Sequence, residues 1–172
     1  MARKTYSGDG IEVSYDAEIC IHARNCVLNM PDVFDPSQRP WIDPEGASAD
    51  AVAQTVTTCP SGALTYRRTD GGREETPPGV NRIRIVENGP LAVAGRVVVD
   101  GTEVTRASLC RCGASGNKPW CDFYHVTCGF QATGEPQPDV EVSDDPVPKG
   151  GTLAIRSRED DLELGQAIHF AH

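Results

Sequence analysis

Cys110-Arg111-Cys112-Gly113-Ala114-Ser115-Gly116-Asn117-Lys118-Pro119-Trp120-Cys121-Asp122-Phe123-Tyr124-His125 gathers three thiols and an imidazole within one short run of the chain. Ligands this close together specify a metal site from local sequence alone. Thiolates with one imidazole are soft donors, which select zinc or iron–sulfur clusters over magnesium or calcium. Three cysteines and a histidine also complete tetrahedral zinc, so a zinc knuckle is the competing reading.

The stretch resembles the CDGSH iron–sulfur family, whose pattern is C-x-C-x2-S/T-x3-P-x-C-D-G-S/A/T-H. Cys110, Cys112, Ser115, Pro119, Cys121, Asp122 and His125 fill its positions at every spacing. The resemblance implies a 2Fe-2S cluster, with Cys110 and Cys112 on one iron and Cys121 and His125 on the other. Beside these ligands, Ser115 is expected to donate a hydrogen bond near a cluster sulfur. Asp122 is expected to hold the loop by accepting backbone hydrogen bonds. Two residues depart from the pattern: Phe123 stands where the family has glycine, and Tyr124 where it has a small residue. If the glycine serves a left-handed backbone angle, a phenylalanine there costs about 1–2 kcal/mol.

A second cysteine set lies near the N-terminus, as Cys20-Ile21-His22-Ala23-Arg24-Asn25-Cys26 and then Cys59-Pro60-Ser61-Gly62-Ala63-Leu64. Bacterial ferredoxins read C-x2-C-x2-C followed by a cysteine–proline pair. Here the outer positions are filled, and Ala23 occupies the middle one. Residues 10 to 68 resemble single-cluster ferredoxins, in particular the divergent mono-cluster type that occurs beside CDGSH modules in bacteria. The resemblance implies a 3Fe-4S or 4Fe-4S cluster on Cys20, Cys26 and Cys59. A 4Fe-4S cluster needs another ligand, for which His22 is the nearest candidate. A surface histidine beside the site is the alternative for His22, and buried free thiols are the alternative for the three cysteines.

With 172 residues and seven cysteines, the chain suits two small modules better than one large core. A module of this size has a marginal hydrophobic core, so bound metal also contributes to folding. Six cysteines are used as ligands and Cys128 is left over, read as a packed small hydrophobe. No run of 18 apolar residues occurs, and Met1 to Gly8 has no hydrophobic stretch behind its basic pair. The expectation is a cytoplasmic chain, neither exported nor membrane-spanning, in which reducing conditions favour metal ligation over disulfides.

The net charge of −9 is uneven: −4 over residues 1–70, +1 over 71–130 and −6 over 131–172. Phosphate binding needs a basic surface, so nucleic acid is excluded as a partner class. An acidic first module instead suits electrostatic steering towards a protein redox partner with a basic docking face.

The expected fold class is α+β, a small ferredoxin-like α+β module followed by a β-rich CDGSH-type module. Ile11 to Tyr15 alternates as a strand. Ser48 caps a helix over Asp50 to Thr58, with Ala51, Val52, Thr55 and Val56 on its packed face, and Ala63 to Arg67 reads as the return strand. These form a first domain over 1–70, followed by a breaker-rich linker over 71–80. In the CDGSH-type domain, over 81–130, strands run Arg82 to Val86, Leu91 to Val99 and Glu103 to Leu109. Residues 131–151 read as a Pro- and acid-rich extended arm. Residues 152–172 read as a partial β repeat, in which Leu153 to Ile155, Leu162 to Leu164 and Ile168 to Phe170 echo earlier strands. The terminal His169 and His172 read as solvated side chains rather than a metal pair.

No nucleophile elbow, phosphate loop or dinucleotide fingerprint is present, so the expectation is an electron-transfer protein rather than an enzyme. The alternative is a cluster donor or a redox, pH or iron sensor, because a protonatable His125 makes the 2Fe-2S site labile. CDGSH modules often dimerise by exchanging strands, so the resemblance leaves two alternatives, a homodimer or a chain whose fused ferredoxin or partial repeat fills that role internally.

Overall fold

The computed structural model describes residues 3–134 and 151–155. The chain divides into two compact units, Met1–Thr76 and Pro77–His172. It is an α+β protein, with the second unit rich in sheet.

In the first unit, β1 (Lys4–Gly8) and β2 (Ile11–Tyr15) form an antiparallel hairpin, and β3 (Leu64–Arg68) adds antiparallel to the far side of β2. Gly10 takes φ 74° in the hairpin turn, a backbone angle that residues with a Cβ rarely adopt. Alternation along β2 buries Ile11 and Val13. They pack with Val33, Phe34, Ile42, Val52, Val56 and Leu64 in one core. Strand β1 was not expected, because Lys4-Thr-Tyr-Ser-Gly carries one large apolar residue. Pairing with β2 recruits the segment, and Tyr6 enters the core.

Helix α1 (Asn25–Asn29) is short, a 3-10 turn covers Pro44–Gly46, and α2 (Ala49–Thr57) crosses the sheet. Ser48 caps α2 as expected, its side chain accepting the Ala51 amide at 3.4 Å. The buried face is Val52, Ala53, Thr55 and Val56, so Ala53 replaces the expected Ala51. At about 100° per residue the two alanines flank the Val52–Val56 stripe almost equally, and the tertiary partner selects the side. The first residues of the expected linker fold back onto this unit: Tyr66 Oη donates to the Arg73 carbonyl at 3.2 Å, and Glu74 accepts the Arg68 amide at 2.8 Å.

In the second unit, β4 (Arg82–Ile85), β5 (Leu91–Val99) and β6 (Thr102–Leu109) are antiparallel in that order. β7 (Leu153–Ile155) lies parallel to β5 at Val97–Val99. Asp100 and Gly101 join β5 to β6 with φ 46° and 83°, the paired positive angles of a type I′ turn. Val93, Val97, Val99, Ala107 and Leu109 form the core beneath the metal loop. The loop leads into α3 (Tyr124–Thr127).

Residues 131–134, where the expected arm begins, are held by hydrogen bonds. The Ala132 carbonyl accepts the Asn88 amide at 2.8 Å, the Ala132 amide donates to Asn88 Oδ1 at 2.9 Å, and Arg111 holds the Ala132 and Thr133 carbonyls. Residues 135–150 of the arm, the echo strands at 162–164 and 168–170, and His169 and His172 lie outside the described residues. Among the described residues no helix is long and apolar enough to cross a membrane.

Candidate metal centres

The Cys110 loop is anchored at the end of β6. Leu109 bridges Trp120, the Cys110 amide donates to the Pro119 carbonyl at 2.8 Å, and the Cys121 amide donates to the Ser108 carbonyl at 2.8 Å. Cys110 and Cys121 are thereby brought together by strand-like pairing. Cys112 returns towards Cys110, with their sulfurs 3.8 Å apart. Two sulfurs on one tetrahedral metal, with bonds of about 2.3 Å, lie roughly 3.8 Å apart. Helix α3 carries His125 back over Cys121, and Nδ1 lies 3.3 Å from Cys121 Sγ. The four side chains thus form two close pairs. No group of three or more His, Cys, Asp or Glu side chains among the described residues has single-ion geometry.

Burial raises the Cys110 thiol pKa, against an opposing hydrogen bond from the Ser115 amide. Burial likewise raises the Cys121 pKa, against the Phe123 amide. Metal must displace these protons, so apparent metal affinity rises with pH. The Asp122 carboxylate accepts the Gly116 amide at 2.8 Å and the Tyr124 amide at 3.1 Å, the expected loop-holding role. Burial raises its pKa, but these amides outweigh that and hold it below the ordinary carboxylate value.

Ser115 contributes both its hydroxyl and its backbone amide to the loop. Its hydroxyl donates to the Trp120 carbonyl at 2.7 Å and accepts the Asn117 amide at 3.0 Å, so its side chain braces the loop. Only its backbone amide reaches a ligand sulfur. Cys128 is exposed rather than packed, because α3 ends there and turns the side chain outward; its thiol contacts the His125 carbonyl at 3.6 Å.

Phe123, where the family pattern has glycine, adopts φ 72° and ψ −1°. This left-handed turn aims its amide at Cys121 and lays its ring edge-on to His125, with centroids 5.3 Å apart. Phe123→Gly is expected to leave stability within about 1 kcal/mol of the parent, because relief of about 1–2 kcal/mol of strain offsets the lost ring contact of about 0.5–1.5 kcal/mol. Phe123→Ala loses the ring and keeps the strain, and should be less stable than the parent by about 1 kcal/mol. Urea unfolding of the metal-free proteins checks this, and equal losses in both variants would rule out backbone strain.

In the first unit, Cys20 follows β2, Cys26 lies in α1 and Cys59 follows α2. All three line one cavity of ≈ 490 Å³. Asn25 Nδ2 donates to the Thr58 carbonyl at 2.8 Å, tying the Cys20–Cys26 loop to the end of α2 that delivers Cys59. Burial raises the Cys26 pKa, against the Val27 amide. His22 is exposed on the same wall with φ 51°, and Ala23 beside it also lines the cavity.

Two residues overlooked in the sequence border this cavity. The Tyr15 hydroxyl bonds Cys20, and its pKa is raised by burial and by that bond. Ser61 Oγ lies 3.7 Å from Cys59 Sγ while accepting the Ala63 amide at 3.2 Å, which leaves its proton to point at the sulfur. Tyr15 ends a strand five residues before the first cysteine, where no motif marks it. Ser61 stood inside the Cys-Pro-x-Gly-Ala run, next to a ligand, and that adjacency was the available signal.

Residues 6–69 match the family described as divergent 4Fe-4S mono-cluster, and residues 88–126 match the iron-binding zinc finger CDGSH type. The chain is 39% identical over 64 residues to the uncharacterized protein YjdI of Escherichia coli (strain K12), covering 37% of this chain and 84% of the relative. It is 36% identical over 61 residues to Ferredoxin-2 of Streptomyces griseolus, covering 32% of this chain and 95% of that protein. No solved structure matches. Thiol sets of these two kinds define an iron–sulfur protein. The chain belongs to the divergent mono-cluster ferredoxin family and carries a CDGSH-type module behind it.

Proposed function

We propose that the chain is a two-cluster, one-electron carrier serving a protein partner. The carrying observation is two sets of ligands in two separate units: three thiols around one cavity, and two close ligand pairs in one loop. Two pairs suit a 2Fe-2S cluster in which Cys110 with Cys112, and Cys121 with His125, each hold one iron. A zinc ion would draw all four onto one point. The first cavity suits a larger cluster on Cys20, Cys26 and Cys59, either 3Fe-4S or, with His22 as fourth ligand, 4Fe-4S. When bound, such clusters supply one-electron redox chemistry. The chain's own residues hold the iron, exclude water and bond the sulfurs.

Anaerobic purification with iron, sulfide and zinc analysis, alongside EPR of both redox states, tests cluster number and type. A zinc-loaded, iron-free C-terminal module would overturn the 2Fe-2S assignment.

The excess of acidic side chains in residues 1–70 supports docking to a basic partner. Reduction by a ferredoxin reductase in stopped flow should therefore slow as salt rises, screening charges over a Debye length of about 10 Å at 0.1 M. One cluster should be reduced only when the ligands of the other are intact. Independent reduction at unchanged rates would sink the relay, and transfer of the 2Fe-2S cluster to an apo acceptor would favour the donor reading.

A further inference from the structure

Two buried side-chain polar atoms among the described residues have no hydrogen-bond partner: Ser108 Oγ and Arg111 Nε. They flank Cys110 in the chain, one two residues before it and one immediately after. Leaving a buried polar group unsatisfied costs about 1–3 kcal/mol. Each therefore calls for a partner that the protein atoms do not supply.

Strand alternation places Ser108. Ala107 and Leu109 of β6 enter the hydrophobic core, so Ser108 is on the opposite face, the one that Cys110 continues. The Ser108 carbonyl also takes the Cys121 amide at 2.8 Å, so the residue adjoins one ligand from each pair. Arg111 spends its two terminal nitrogens on the Thr133 and Ala132 carbonyls at 3.0 Å each, and its guanidinium lies 5.1 Å from the centre of the Phe130 ring. That clamp leaves Nε as a fixed, unspent donor. A guanidinium can only donate, so the absent partner is an acceptor. The Ser115 hydroxyl is already committed to Trp120.

We propose that Ser108 and Arg111 are positioning residues that donate hydrogen bonds to sulfur atoms of the 2Fe-2S site. This rests on the cluster assignment above. Donors to sulfur, and a cation beside them, stabilise the more negative reduced state and raise the potential.

The test uses the full-length holoprotein, purified anaerobically, with redox titration of the 2Fe-2S EPR signal. Ser108→Ala should keep the cluster and disfavour its reduction about tenfold, about 59 mV for one electron. Ser108→Thr, which restores a hydroxyl, should recover most of that shift. Arg111→Gln should lower the potential further, because it removes both the donor and the charge. Resonance Raman offers an independent readout: the iron–sulfur bands of the parent should shift on exchange into D2O, and Ser108→Ala should reduce the shift. Unchanged potentials and bands in variants that hold the cluster would overturn this proposal alone. An iron-free, zinc-loaded parent would overturn the cluster assignment and this proposal together.

Discussion

His125→Cys is expected to keep the C-terminal iron and to abolish the acid lability and pH dependence of the site. His125 is the one imidazole among the four proposed ligands, and burial lowers its pKa against the opposing charge of Asp122. A depressed pKa means that the folded chain prefers the neutral ring. Its stabilising contribution is complete above the ordinary histidine value of about 6.5 and is lost as pH falls from there through the lower folded value. A protonated imidazole also cannot hold iron. The parent should therefore bleach its visible 2Fe-2S absorption as pH drops below the ordinary histidine value of about 6.5. The cysteine variant should retain it. Titrating the potential between pH 6 and 8 should give a sloping line for the parent and a flat one for the variant. Identical slopes would remove His125 from the ligand set.

Cys59→Ala is expected to eliminate the N-terminal cluster while leaving most of that unit's secondary structure. The thiol lines the cavity from the end of α2, and the core of Ile11, Val13, Phe34, Val52, Val56 and Leu64 forms beside it. Iron should fall by three or four atoms per chain, with little change in far-UV circular dichroism. Collapse of the circular dichroism would mean instead that the metal holds the whole unit together. The companion variant Ala23→Cys adds a thiol to the same cavity wall and should convert the EPR signature to that of a conventional 4Fe-4S cluster. His22→Ala distinguishes the parent's alternatives, since an unchanged 4Fe-4S spectrum would eliminate His22.

The two centres place different demands on the chain. In the C-terminal loop, proposed ligands close in sequence are set by local turns, and the Asp122 carboxylate and Ser115 hydroxyl hold those turns through backbone groups. In the N-terminal unit, Cys59 lies 33 residues beyond Cys26, and only packing of α2 on the sheet brings them to one cavity. Substitutions in the α2 face should therefore disturb the first centre through geometry, although they touch no ligand.

The two cysteine motifs, the α+β class and most strands were legible in the sequence, because motif spacing and period-two alternation are local properties. Phe123 carried its left-handed angle in the position of a family glycine, and the structure bears that angle out. Strand β1 was hidden, since one tyrosine cannot signal a strand until β2 offers it a partner. The α2 face turned to Ala53 because the neighbour across the interface, not the helical period, chooses between equivalent flanks. Cys128 proved exposed, since burial depends on where a short helix stops. The roles of Ser115 and Ser108 are the clearest case. Sequence marks which serine lies in the motif, but only the fold reveals which hydroxyl is already spent on a carbonyl and which is buried without a partner. Hydrogen-bond satisfaction is a property of the packed surroundings, and no spacing in the chain encodes it.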